Sequence, residues 1–217
     1  MTYPNAYSGV KKIFLAQILI LIAAVLSVVV AGTGISEVQN STSAQIGTGT
    51  LVAAGGISIV IAVISIVAFI INLVGLSQAG KDERNFKTAF ILTIIGLIIA
   101  IVSGFASASG FADIFELAGK IINMLIIVFV IYGVVALATK LNDEKLVRKG
   151  KSLLVMITVL LLISVVMGVI GSIAGDHTGD GAKIAIAAVA LVASIAAIVA
   201  YIMYLTLLAR AKKTLKQ

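Results

Sequence analysis

Six long apolar stretches, at residues 13–32, 51–76, 88–105, 117–139, 153–173 and 182–208, follow one another along a chain of 217 residues. At ~1.5 Å of rise per residue, the shortest of them still reaches nearly across the ~30 Å hydrocarbon core of a bilayer as a helix. None shows the apolar–polar alternation that the wall of a membrane barrel requires. With 61% hydrophobic and 12% charged residues, and a mean hydropathy of +1.21, the chain lacks the polar surface to cover a water-soluble globule. The sequence therefore reads as an all-α membrane protein, a single six-helix transmembrane domain over residues 1–217. The expected helices lie at about 11–32, 51–79, 88–107, 112–140, 151–174 and 182–211. A cleaved signal peptide is the other reading of the first stretch, behind Lys11 and Lys12. Its run of about twenty apolar residues exceeds the ~7–15 of a signal core.

The gaps between the stretches carry charge unequally. Of sixteen Lys and Arg residues, fourteen fall in the terminal and even-numbered gaps: Lys11, Lys12, Lys81, Arg84, Lys87, Lys140, Lys145, Arg148, Lys149, Lys151, Arg210, Lys212, Lys213 and Lys216. Only Lys120 and Lys183 fall on the other side, among Glu37, Asp113, Glu116, Asp176 and Asp180. By the positive-inside rule both termini are expected in the cytoplasm, which an even number of spans requires. The basic pI near 9.7 then reflects insertion polarity, and no basic face with interleaved aromatics suggests nucleic acid.

A weaker pattern recurs every 65 to 75 residues or so. Aligning Lys11, Lys87 and Lys151 brings Phe14, Phe90 and Leu154 into register, then Ala24, Ala100 and Ser164. The even-numbered helices leave through a shared apolar-x-x-Ala-x-Lys pattern: Leu76 to Lys81, Val135 to Lys140 and Leu208 to Lys213. The expected unit is a two-helix hairpin used three times in parallel around a pseudo-threefold axis along the membrane normal.

Small residues at helical spacing mark candidate packing faces, because close backbone approach drives association where lipid is as apolar as leucine. They are Ala54, Ser58, Ala62, Ser65, Ala68, Asn72, Gly75 and Ala79 in the second helix. The third has Ala89, Thr93, Gly96, Ala100, Ser103 and Ser107. The fifth has Ser164, Gly168, Gly171 and Gly175, and the sixth Ala190, Ala193, Ala197 and Ala200. Each set is expected to face another helix, with the larger aliphatic residues facing lipid. The same polar members could line a solute path; packing is the plainer account. Gln17, Asn72 and Asn123 are expected to find a partner on another helix, since an unpaired amide in hydrocarbon is costly.

Missing residues narrow the function further. No charged residue or histidine falls near the middle of a span, where ion-coupled pumps, proton relays and voltage sensors place them. There is no cysteine, so thiol chemistry is excluded. The single His177 has no evident nucleophile or orienting group beside it. It lies in the turn 175–181, where Asp176, Thr178, Asp180 and Gly181 match half of a calcium loop. The loop's twelfth position should be glutamate and is Ala187, so a glycine-rich tight turn is the simpler reading. Catalytic, cofactor-binding and metal residues are thus expected to be none.

Elsewhere, Thr33–Thr50 reads as a polar loop holding the sequon Asn40-Ser41-Thr42. The segment 111–118, with Phe111, Ile114, Phe115 and Ala118 on one face, reads as an interfacial helix, an extension of the fourth span or an exposed docking surface. The clusters Lys145, Arg148, Lys149, Lys151 and Arg210, Lys212, Lys213 read as inner anchors beside an anionic leaflet. Short loops and no organelle signal point to a bacterial plasma membrane. The expected function is a scaffold or accessory subunit of a membrane complex, with other membrane subunits as partners. The alternative is a small-solute carrier or the membrane-embedded substrate-binding component of a transporter.

Overall fold

The computed structural model describes the backbone of residues 3–40, 48–106, 112–174 and 180–216. It is all-helical over these residues: α1 (Pro4–Asn40), α2 (Thr48–Ala79), α3 (Arg84–Ala106), α4 (Ala112–Lys140), α5 (Glu144–Ala174) and α6 (Asp180–Thr214). Five helices contain stretches long and apolar enough to cross a membrane, namely Pro4–Val28, Ile57–Ala79, Arg84–Gly104, Leu117–Lys140 and Ile195–Thr214. In α5, side chains are described only as far as residue 163, and not at 161.

The helices pack in a ring in chain order, each against its sequence neighbours and α6 back against α1, with α4 also touching α6. That cross-contact has no α2–α4 or α2–α6 counterpart among the described residues.

Several helices run past the apolar stretches that announce them. The segment read as a polar loop is helical in α1 as far as Asn40 and again in α2 from Thr48. Backbone hydrogen bonding does not need apolar side chains and continues through polar sequence, so hydropathy locates the membrane crossing and not the helix end. Segment 112–118 forms the first turns of α4, the extension reading.

At α5 the start comes seven residues before the expected 151, and the cause is local. Asn142 adopts a left-handed conformation, with φ of 54°. The Asp143 amide then reaches back to the Ala138 carbonyl (3.0 Å) and the Asn142 amide to Thr139 (3.2 Å). These two bonds form a Schellman motif that closes α4. Asp143 immediately caps α5, its carboxylate accepting the Leu146 amide at 3.0 Å, as an N-cap aspartate does.

The buried core sits at the end of the molecule that holds the α2–α3 and α4–α5 turns and both chain termini, hereafter the basic end. On α1 the wholly buried Ala6, Val10, Ile13 and Ala16 make one face, at steps of three and four. Ala6, Val10 and Ile13 share one core with Leu76 and Ala79 of α2, Phe86 and Ala89 of α3, Val130, Ile131, Val134, Val135, Leu137 and Ala138 of α4, Leu146 and Leu153 of α5, Tyr204, Leu207, Leu208 and Ala211 of α6, and Leu215 just beyond it. The positions of the shared exit pattern, Leu76 and Ala79, Val135 and Ala138, Leu208 and Ala211, are all buried.

Glycine permits the closest approaches. A Cβ on Gly9 would lie 2.5 Å from the Ala79 nitrogen and 2.5 Å from the Gly75 oxygen, so α1 and α2 touch backbone to backbone there. A Cβ on Gly133 would lie 2.6 Å from the Phe86 ring. Toward the far end the packing loosens. Ile59, Val60, Val63, Ile66, Ile98, Ile101, Val102, Val192 and Ile195 are exposed, and a Cβ on Gly119 would meet nothing within 4 Å.

Candidate functional site

The polar side chains concentrate in a layer across the basic end, and most are committed to holding helices together. The first turn of α1 leaves backbone amides without partners, and Pro4 occupies its first position, where the missing amide costs nothing. Asp82, from the α2–α3 turn, supplies the acceptor: its carboxylate takes the Ala6 amide at 2.7 Å and the Asn5 side-chain amide at 3.0 Å. An aspartate seventy-six positions away thus caps this helix. Its neighbour Glu83 pairs with Lys140 at the end of α4, 2.6 Å apart, and the same ammonium lies 5.9 Å from the centre of the Tyr3 ring.

Gln78 on α2 accepts from Ser8 (3.0 Å) and Lys12 (2.9 Å) of α1. Asp143 adds a fourth link, accepting the Thr214 hydroxyl at 3.0 Å while it caps α5. The two interhelical turns and the two termini are therefore tied into one layer by four polar side chains, Gln78, Asp82, Glu83 and Asp143.

Within the membrane span, Gln17 joins α1 to α6. The Tyr201 hydroxyl donates to the Gln17 carbonyl at 2.8 Å and lies 3.3 Å from its side-chain oxygen. The shorter bond is thus to the Gln17 backbone, and the side-chain oxygen is the longer contact. Asn72 is half-buried and Asn123 exposed.

The small-residue stripes divide along their length. In α2, Ala68, Gly75 and Ala79 are buried, whereas Ser58, Ala62 and Ser65 are exposed. In α3, Ala89 and Thr93 are buried, Gly96 lies against Ile122 of α4, Ser103 is half-buried and Ala100 is exposed. In α6, Ala200 is buried and Ala197 exposed. The α5 stripe, and side chains at Ala54 and Ala190, fall outside the described residues. Two of the polar members bond within their own helix: Ser65 donates to the Ile61 carbonyl and Thr93 to Ala89, the usual local option for hydroxyls in an apolar helix.

Lys145, Arg148, Lys149, Lys151, Arg210 and Lys213 are exposed, while Lys212 is half-buried with its ammonium 4.8 Å from the centre of the Phe14 ring. Two shallow depressions flank the α4–α5 turn, one lined by Arg148 and Lys151, the other by Lys145 and Lys213. Asp143 and Glu144 line both, so the charge there is mixed. The half calcium loop at 175–181 lies mostly outside the described residues, as does His177. Among the described residues no cluster of three histidines or acids could hold a metal.

Sequence reasoning missed the capping acids. Asp143 was legible, since Asn-Asp-Glu ahead of a helical segment is a stop-and-start signature. Asp82 was not, because it caps a helix remote in sequence. No protein-family model, curated protein or solved structure matches this chain.

Proposed function

We propose that the chain is a scaffold or accessory subunit of a membrane complex, with no catalytic residues or cofactor of its own. The observation that supports this reading is the division along the bundle. The basic end fills its own core, while large aliphatic residues and the small-residue stripe of α2 stay uncovered beyond it. Such a surface suits neighbouring membrane helices, for which small residues permit close approach. The carrier reading has less support: the Gln17, Ser65 and Thr93 polar groups that would line a solute path are spent on Tyr201 or on their own helix.

In the same reading the basic end faces the cytoplasm beside an anionic inner leaflet, both termini lie there, and the membrane is a bacterial plasma membrane. The three hairpins are copies of one unit. Positions equivalent in the Lys11–Lys87–Lys151 register share their burial, Val10 with Phe86 and Gly150, Ile13 with Ala89 and Leu153. The α4–α6 contact is where the copies have diverged.

Purification from native membrane in mild detergent, followed by mass spectrometry, tests the function. A stoichiometric protein partner is expected; a retained small polar solute and no partner would favour transport instead. For the orientation, single cysteines at Ser41→Cys and Ser152→Cys should label from outside and inside respectively, and the reverse pattern would overturn it.

A further inference from the structure

Tyr204 is a buried polar side chain, 3% exposed, whose hydroxyl has no bond to another helix or any other partner among the described residues, whereas that of Tyr201, with ring centres 6.5 Å apart, bonds to α1. Every fully sealed side-chain oxygen or nitrogen in the described structure has a partner, so the Tyr204 oxygen reaches open space. The space it lines is a half-open cavity of about 140 Å³ between α4, α5 and α6, with Met124, Ile157 and Leu160 on one side and Ala193, Ala197 and Ala200 on the other. Helical side chains lean toward the N-terminus of their helix, which carries the Tyr204 ring over Ala200 toward Ala197, where the small residues leave the room.

The cavity's chemistry restricts its occupant. Water needs two or more polar partners and an apolar cavity of ~150 Å³ stays dry, yet takes up a small aromatic molecule. Among the described residues the lining is apolar apart from the tyrosine hydroxyls. Tyr204 lies four residues inside the end of the apolar stretch at Leu208, roughly 6 Å along the helix and so near the basic membrane interface. At that depth the ester carbonyl of a phospholipid offers the same acceptor as a quinone.

We propose that this cavity binds a membrane-dissolved molecule with an apolar body and a carbonyl oxygen, as in a quinone, which accepts the hydrogen bond from Tyr204. The site is independent of the scaffold reading, because the cavity lies among helices of this chain alone.

The chain has no tryptophan, so the intrinsic emission of the full-length protein in detergent reports its tyrosines. Titration with decylubiquinone should quench that emission saturably. Tyr204→Phe should weaken the apparent affinity about fivefold, the worth of one neutral hydrogen bond, and Ala197→Leu, which fills the cavity, should abolish saturation. Decylbenzene, which lacks the carbonyls, should compete at least fivefold more weakly. Quenching that never saturates, or affinity unchanged by both substitutions, would overturn the proposal. Displacement of bound quinone by added phosphatidylcholine would assign the site to lipid instead. Should Tyr204→Phe fail to fold, saturable binding retained by Ala197→Leu overturns it alone.

Discussion

The two ends of this bundle are built from similar residues and behave differently. At the basic end, glycine and alanine stripes bring α1 against α2 with backbone contact at Gly9 and Gly75, and four polar side chains tie the turns to the termini. Toward the far end the same kinds of stripe, at Ser58, Ala62 and Ser65, are exposed. The most apolar eighteen-residue stretch of α2 is only 6% buried within the molecule, against 39% for α4. A small-residue stripe is thus a permission for close approach. It becomes a contact only where other interactions fix the helices beside each other, and here those are the caps and ion pair at the basic end.

Substitutions should separate the ends, beginning with the glycines. Gly9→Ala forces a Cβ into the α2 backbone, and overpacking of this kind costs about 1–3 kcal/mol or more; Gly119→Ala enters open space in a helix and should gain up to about 1 kcal/mol. Unfolding in mixed detergent micelles measures both, and equal effects would erase the distinction between the ends.

The cap across the layer comes next. Asp82→Ala removes acceptors from Ala6 and Asn5 and should cost about 1–2 kcal/mol, while freeing the α1 amides to hydrogen exchange; unchanged protection would show that Asp82 is dispensable. Tyr201→Phe should cost about 0.6–2 kcal/mol by removing the α1–α6 link within the membrane, read in the same unfolding experiment. Smallest is Lys140→Met. Its partner Glu83 is largely buried but Lys140 is 46% exposed, and such pairs contribute under about 1 kcal/mol and fade with salt. A larger, salt-independent loss would mean the basic end is held electrostatically.

Much of this architecture was legible in the sequence. The six helices, five of them with stretches long and apolar enough to cross a membrane, and the bounds of α4 follow from runs of apolar residues. Helix ends were less legible. The basic turns Lys145–Lys151 look like a loop by hydropathy, yet Asn142 and Asp143 stop one helix and start the next in three residues. The division of the stripes could not be read, because the α2 stripe covers more than about 100° of the helix surface: its buried members Ala68, Gly75 and Ala79 lie to one side of the exposed Ser65, and Ser58 and Ala62 to the other. The cavity under Tyr204 depends on three helices meeting, and no single segment announces it.

Photo-crosslinking in native membranes tests the central contrast most directly. A benzophenone amino acid placed at Ser65 or at Ala100, the uncovered parts of the α2 and α3 stripes, should give a discrete adduct with a second membrane polypeptide in near-stoichiometric yield. Adducts with lipid alone, from both positions, would mean that the far end is simply lipid-facing and would contradict the account.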